Sequence, residues 1–310
     1  MAANVPVLSN EKIFERRAPS VEALRRFLHH RSAQVGLVIF AFLVLIAIFA
    51  PELAPYDPIV PLENAVRRSP PCIHLLGCPA DKPEHLMGID SNNRDLFSRV
   101  IYGSRLSLQI GIETIAIAII IGGLIGGVCG YFGGWVDNLI MRLMDILMAF
   151  PALLLAIAIV SVLGTGLINA LVAIAIVSIP TYARVVRSGV LSVKELDYVT
   201  ASRALGASDL RLIFTRILPN SLTPLIVQGT LGIASAILNA AALSFLGLGA
   251  QPPTPEWGLM LGQESNSVFN APHLVFFPGV AIMITVLAFN MVGVGLRDAL
   301  DPRLRGGKVS

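Results

Sequence analysis

The stretch Glu195-Leu-Asp-Tyr-Val-Thr-Ala-Ser-Arg-Ala-Leu-Gly-Ala-Ser-Asp-Leu-Arg-Leu-Ile-Phe-Thr-Arg-Ile-Leu-Pro219 interrupts an otherwise apolar chain. Long hydrophobic runs flank it on both sides, and six Lys or Arg fall between Arg184 and Arg216. That much charge does not belong in hydrocarbon, yet the segment is too rich in Leu, Val and Ile for a mere linker. It reads as a docking surface on the cytoplasmic side of a membrane protein.

Composition agrees. Of 310 residues 55% are hydrophobic and only 14% charged, with a mean hydropathy of +0.73; a soluble domain carries about 25% charged residues. Apolar stretches lie near 34–50, 106–129, 143–163, 167–183, 221–248 and 274–296, each close to the roughly 20 residues a membrane-crossing helix needs. The expected fold is an all-α polytopic membrane protein with six transmembrane helices in one embedded domain. The first run follows an Arg-rich segment and ends at Pro51 without a small-residue cleavage site, so it reads as a retained anchor helix. The expected organisation is an N-terminal segment 1–33, the anchor 34–50, an outer loop with an amphipathic segment 51–105, a five-helix core 106–296 and a tail 297–310.

Lys and Arg accumulate in cytoplasmic segments. With the N-terminus inside, segments 1–33, 130–142, 184–220 and 297–310 hold 17 of the 23 basic residues. Both termini are therefore expected in the cytoplasm, and the net charge of +3 reports topology and points to no nucleic-acid partner.

Groups for covalent chemistry are sparse. No G-x-x-x-x-G-K-[ST] loop occurs, Gly306-Gly307-Lys308-Val309 being the nearest string, so the chain is not expected to hydrolyse ATP or bind a cofactor of its own. There is no H-E-x-x-H, and all five histidines fall outside or at the ends of the spans. The string Gly206-Ala207-Ser208 lacks a strand-turn-helix context and a histidine base. No catalytic or metal residue is assigned. Cys129 lies in a span and reads as a packing residue, whereas Cys72 and Cys78 lie in the outer loop. A disulfide between them is the favoured reading; free thiols, or a metal site with His74 and His85, are the alternatives.

Within the opening stretch, residues 195–205 suit a helix with Leu196, Val199 or Thr200, and Arg203 on successive turns. Gly206 suits a left-handed turn, Ser208 or Asp209 can cap a second helix, and Pro219 marks the start of the fifth span. In the second span Gly122, Gly123, Gly126, Gly127 and Gly130 predict close helix packing. Arg142 and Asp145, three apart, are expected to pair. Glu113 is costly in a span and is expected to face an interior or a water-filled path. Asn239 and Asn290 are weaker candidates for that path.

Thr200-Ala201-Ser202-x3-Gly206, continued to Leu218-Pro219, resembles the loop E-A-A-x3-G-x9-I-x-L-P of ABC importer permeases, with Thr200, Ser202 and Arg216 departing from it. His85-Leu-Met-Gly88-Ile-Asp90-Ser-Asn-Asn-Arg94-Asp95-Leu-Phe-Ser98-Arg99 is similar to H-x-L-G-T-D-x-x-G-R-D-x-x-S-R of the dipeptide and oligopeptide permeases, C-type subunit, with Ile89 and Asn93 departing. Gly130-Tyr-Phe-Gly-Gly-Trp-Val-Asp137, continued to Met141-Arg142, Asp145 and Phe150-Pro151, follows the same group. The likeness runs from Arg31 to Gly306, apart from the cysteine-bearing insert near 66–84.

The resemblance implies a type I ABC importer permease in a bacterial or archaeal plasma membrane. It implies a second permease chain, two ABC ATPase subunits that carry ATP and Mg, and an extracytoplasmic substrate-binding protein. The ATPase-coupling residues would be Thr200, Ala201, Arg203, Leu205, Gly206, Ala207, Ser208 and Pro219, on a coupling helix around 197–206. Di- or oligopeptides are the expected cargo, with glutathione, nickel chelates or oligosaccharides as other group members' cargo. An ion-coupled transporter without ATPase is the rival from another class; it would use buried ionisable residues, of which Glu113 is the one convincing case.

Overall fold

The computed structural model describes residues 25–63 and 65–300, and the elements found there are helical. Most of the N-terminal segment and of the tail assigned to the cytoplasm lies outside the described residues. Helix α1 spans Arg31–Ile48 and α2 spans Leu96–Phe132. They are followed by α3 (Gly134–Met148), α4 (Ala152–Leu163) and α5 (Leu167–Lys194). After α5 come α6 (Asp197–Ala204), α7 (Asp209–Leu212) and α8 (Leu218–Phe245). The last two are α9 (Trp257–Glu264) and α10 (His273–Leu300).

Among the described residues five helical segments are long and apolar enough to cross a membrane, and the bent pair α3–α4 makes a sixth when counted as one span. The third expected span is therefore not one rod: α3 and α4 meet at 95°. Pro151 supplies the reason, since it lacks an N–H and steers Phe150 away from helical geometry. Helix α3 also begins at Gly134, inside the stretch read from sequence as a loop.

Helix α2 starts ten residues before the expected boundary. Asp95 caps it, its carboxylate accepting from the Ser98 N–H and Oγ at 2.8 Å each. Its 37 residues make a rod of about 55 Å against a hydrocarbon core of about 30 Å, so part of it stands clear of the bilayer.

The glycines of α2 sit where α5 crosses. A Cβ at Gly122 would lie 2.8 Å from the Ile179 carbonyl oxygen, and one at Gly130 2.8 Å from the Val190 Cβ. Gly126 lies directly against the Ala183 carbonyl. Spaced by four, these glycines form one row that lets the two backbones touch. Around this contact Ile115, Ile174, Tyr182, Val186, Leu225 and Leu243 form the main buried core. Helix α1 lies on α10 through Gly36 against Met291 and Ala33 against Gly295, with the Phe40 and Phe289 rings edge to face at 5.1 Å.

The chain before α2 folds onto the loop between α8 and α9. Arg99, buried, donates from Nη1 to the carbonyls of Pro58 (2.7 Å) and Pro253 (3.2 Å) and from Nη2 to Thr254 (3.4 Å), while its Nε lies 3.5 Å from Asp90. Asp90 also accepts from Arg94 Nε at 2.8 Å, and Asp95 from His85 Nδ1 at 2.9 Å. Glu264 of α9 accepts from the Ser91 N–H at 3.1 Å. These buried charges are matched or hydrogen-bonded to backbone, as their desolvation requires. Asn93 has φ +61°, which explains why the resembling motif places glycine there: Asn is among the few side chains at ease in that region.

Candidate coupling surface and translocation face

The polar stretch folds into a helix, a turn and a second helix. Helix α6 hangs on one buried side chain, Val199, 0% exposed. Thr200, Ala201 and Arg203 face outward and Ser202 is half-buried. Gly206 has φ +83°, the left-handed turn expected of it, and a Cβ placed there would meet nothing within 4 Å. Leu205, just before it, is 89% exposed, although it ends a helix anchored to the core. Exposing a large apolar side chain beside a side-chain-free turn leaves a knob that another surface can cover. Ala207 is half-buried against the core, and Ser208 is exposed.

Two details of the expected loop change. Ser208 does hold the position before α7, with extended backbone, but its side chain makes no capping bond. Asp209 does not cap either; its carboxylate accepts a hydrogen bond from the Tyr131 hydroxyl at the end of α2. Pro219 does stand in the first turn of α8, but α8 is continuous with α7. Residues 209–245 run as one helical segment in which Ile213–Ile217 widen into a π-turn, the Leu218 N–H reaching back to the Ile213 carbonyl. The wider turn accommodates a proline that has no N–H to give, and Asn220 Nδ2 serves the Arg216 carbonyl at 2.5 Å.

The loop is tied to α2. Arg203 lies 5.9 Å from the centre of the Tyr131 ring, and Lys194 Nζ donates to the Gly130 carbonyl at 3.0 Å. Sequence reasoning missed Tyr131 and Lys194 as members of this site and gave Asp209 only a capping role. The signal available was Tyr131 within the Gly130-Tyr-Phe-Gly stretch, but nothing in the sequence shows that the end of α2 meets a loop about 78 residues later. The expected Arg142–Asp145 pair is replaced: Asp145 takes Arg184 of α5 at 2.5 Å, because α5 runs alongside α3 and brings its own cations within reach.

Glu113 does not face the interior of this chain. It is exposed on α2, where Gln109 Nε2 donates to its Oε1 at 2.7 Å. The reason is helical phase: the opposite face of α2, with Gly111, Ile115 and Gly122, is the one buried against α5 and α8. Asn239 is half-buried in α8 and Asn290 exposed on α10. Cys72 and Cys78 form a disulfide with Cα atoms 5.3 Å apart, and among the described residues no group of His, Cys, Asp or Glu could hold a metal ion.

Residues 117–306 match the family described as binding-protein-dependent transport system inner membrane component, and residues 19–71 the N-terminal TM domain of oligopeptide transport permease C. A dipeptide transport system permease of Alkalihalophilus pseudofirmus is 49% identical over 93% of this chain and 91% of its own. A di/tripeptide permease of Pseudomonas aeruginosa is 48% identical over 93% of each chain. A glutathione permease of Pectobacterium atrosepticum is 44% identical over 98% of this chain and 97% of its own. Among solved structures, the inward-facing MetNI methionine ABC transporter matches 66% of this chain and 96% of its own with TM-score 0.53 at 21% identity, a likeness of fold. With its bent third span, its glycine-packed α2 and α5 and its exposed loop between α5 and α8, the chain belongs to the inner-membrane permeases of binding-protein-dependent ABC importers, in the dipeptide transport group.

Proposed function

We propose that this chain is one of two permease subunits that move short peptides inward across the plasma membrane, driven by two ATPase subunits and supplied by an external binding protein. The chain itself holds no nucleotide; ATP and Mg reside on the ATPases. Helix α6 and the turn at Gly206 seat in an ATPase cleft, with Leu205 as the central contact and Thr200, Ala201, Arg203, Ala207 and Ser208 around it. The observation that carries this reading is the exposed Leu205 on a helix pinned by buried Val199.

Nucleotide-driven closure of the ATPases displaces α6. Tyr131 and Lys194 pass the displacement to α2, and the unbroken segment 209–245 passes it to α8. Transport is then a two-state change biased by nucleotide and by the loaded binding protein. Both termini lie in the cytoplasm, supported by the 17 of 23 basic residues on that side. Peptide cargo is supported by the names of the most similar relatives, and glutathione, itself a tripeptide, is the second cargo those relatives favour.

The test is co-purification of the tagged chain in mild detergent from its native host, followed by reconstitution of what is recovered. A second permease and ATPases, with ATP-dependent uptake of trialanine or glutathione in the presence of the binding protein, is the expected result. A solitary chain, or one that transports without ATP, would overturn it.

A further inference from the structure

Arg105, Gln109 and Glu113 are each four residues apart on α2, and all three are exposed in this chain. They therefore stand one above another on a single helical face. Below them the same face continues with Ala116, Ile120 and Leu124, without another charge. Gln109 bonds to Glu113, whereas Arg105 makes no ion pair among the described residues. A charge, an amide and an opposite charge facing lipid would be expensive at the edge of the hydrocarbon. The face must look onto water or another protein surface, and the far side of α2 is already filled by α5 and α8.

We infer that Arg105, Gln109 and Glu113 form a ladder at the outer mouth of the translocation path that receives both ends of a short zwitterionic peptide. The ammonium meets Glu113, the backbone amides meet Gln109, and the carboxylate meets Arg105. The dimensions fit: eight residues of helix rise about 12 Å, and an extended tripeptide spans about 10 Å. Arg105 is nearer the outer loops, so the peptide descends amino end first. The guanidinium can take a carboxylate through two parallel bonds. Side chains on α2 lean toward its N-terminus, which brings both charged groups up into the mouth. This inference rests on the peptide-import reading.

The experiment uses the complete reconstituted transporter with its binding protein and trialanine as probe, glutathione being run in parallel. Glu113→Gln and Arg105→Gln are each expected to lower maximal trialanine uptake at least tenfold. The concentration of loaded binding protein at half-maximal rate, the basal ATPase rate and the melting temperature of the complex should stay unchanged. Glu113→Asp should recover much of the rate. Uptake equal to wild type in both Gln variants would overturn the ladder while leaving peptide import standing. Loss of uptake together with loss of assembly, basal ATPase or melting temperature would show that these side chains pair with the second permease, and would also overturn it. Wild-type transporter that moves neither probe would instead remove the peptide reading itself, and the ladder with it.

Discussion

Arg187 grips Asp137 with both arms of its guanidinium: Nε donates to Oδ1 and Nη2 to Oδ2, each at 2.5 Å. The pair joins α5 to the first turn of α3, close to the point where Lys194 holds the end of α2. Asp145 and Arg184 repeat the α3–α5 connection further along at 2.5 Å, with both side chains about half exposed. The first half of the bent span, α3, is thus fastened to the helix that leads directly into α6.

Because Asp137 is nearly buried, Arg187→Ala should leave a stranded carboxylate and cost about 2 kcal/mol, below the 3–5 typical of a fully buried pair since Arg187 is partly solvated. Arg187→Lys should recover less than half of that, as an ammonium cannot reproduce the two-armed geometry. Thermal unfolding of the detergent-solubilised complex reads both. The Arg184→Ala change, at an exposed pair, should cost under about 1 kcal/mol, and an equal loss at the two sites would contradict this ranking.

At Gly206 conformation and contact can be separated. Its φ of +83° admits Asn with strain of about 1 kcal/mol, so Gly206→Asn should retain most ATP-driven uptake. Gly206→Glu should insert normally and bind the second permease, yet lose uptake at least tenfold while ATP hydrolysis continues. Equal activity of the two variants would remove the turn from the coupling contact.

Tyr131→Phe keeps the ring beneath Arg203 but removes the hydrogen bond to Asp209. A hydrogen bond to a charged group is worth about 1.5–3 kcal/mol, less where exposed, so uptake per ATP hydrolysed should fall about threefold. The ratio of transport to hydrolysis in proteoliposomes measures it; an unchanged ratio would mean that α2 receives its motion elsewhere.

For Cys72 and Cys78, a chain with Cys129→Ala should resist a membrane-impermeant maleimide until a reductant is added, and then take up two labels. Labelling without reductant would show free thiols, and no labelling after reduction would place the loop on the inner side. The double Cys→Ser change should free a small ring whose closure is worth about 2 kcal/mol of chain entropy.

Much of this architecture is legible in the residues. Six apolar runs, a polar interruption with a turn at Gly206, and a glycine row every fourth position each encode a local rule of burial or close approach; the structure keeps the turn and the glycine row but starts α2 ten residues early and breaks the third run. Other features depend on partners distant in sequence. Nothing near Asp145 says that it will choose Arg184 over Arg142, nor does Ser208 reveal that its side chain will stand idle. The charge of Glu113 marks it as too costly for lipid, but which side of α2 it occupies is decided by the helical phase of the glycines, not by its own chemistry. The bend at Phe150-Pro151 goes unread despite its proline, because apolar residues on both sides of it hide the break.

Arg99 also sets an order of events during biogenesis. Its carbonyl acceptors at Pro253 and Thr254 lie more than 150 residues downstream, so the segment that opens α2 leaves the ribosome long before the groups that lock it exist. Until the loop after α8 has been made, the guanidinium has Pro58 and Asp90 nearby but not the two later carbonyls that complete its coordination. The cap over the start of α2 is therefore a late closure, complete only after α8 and the loop that follows it have been synthesised.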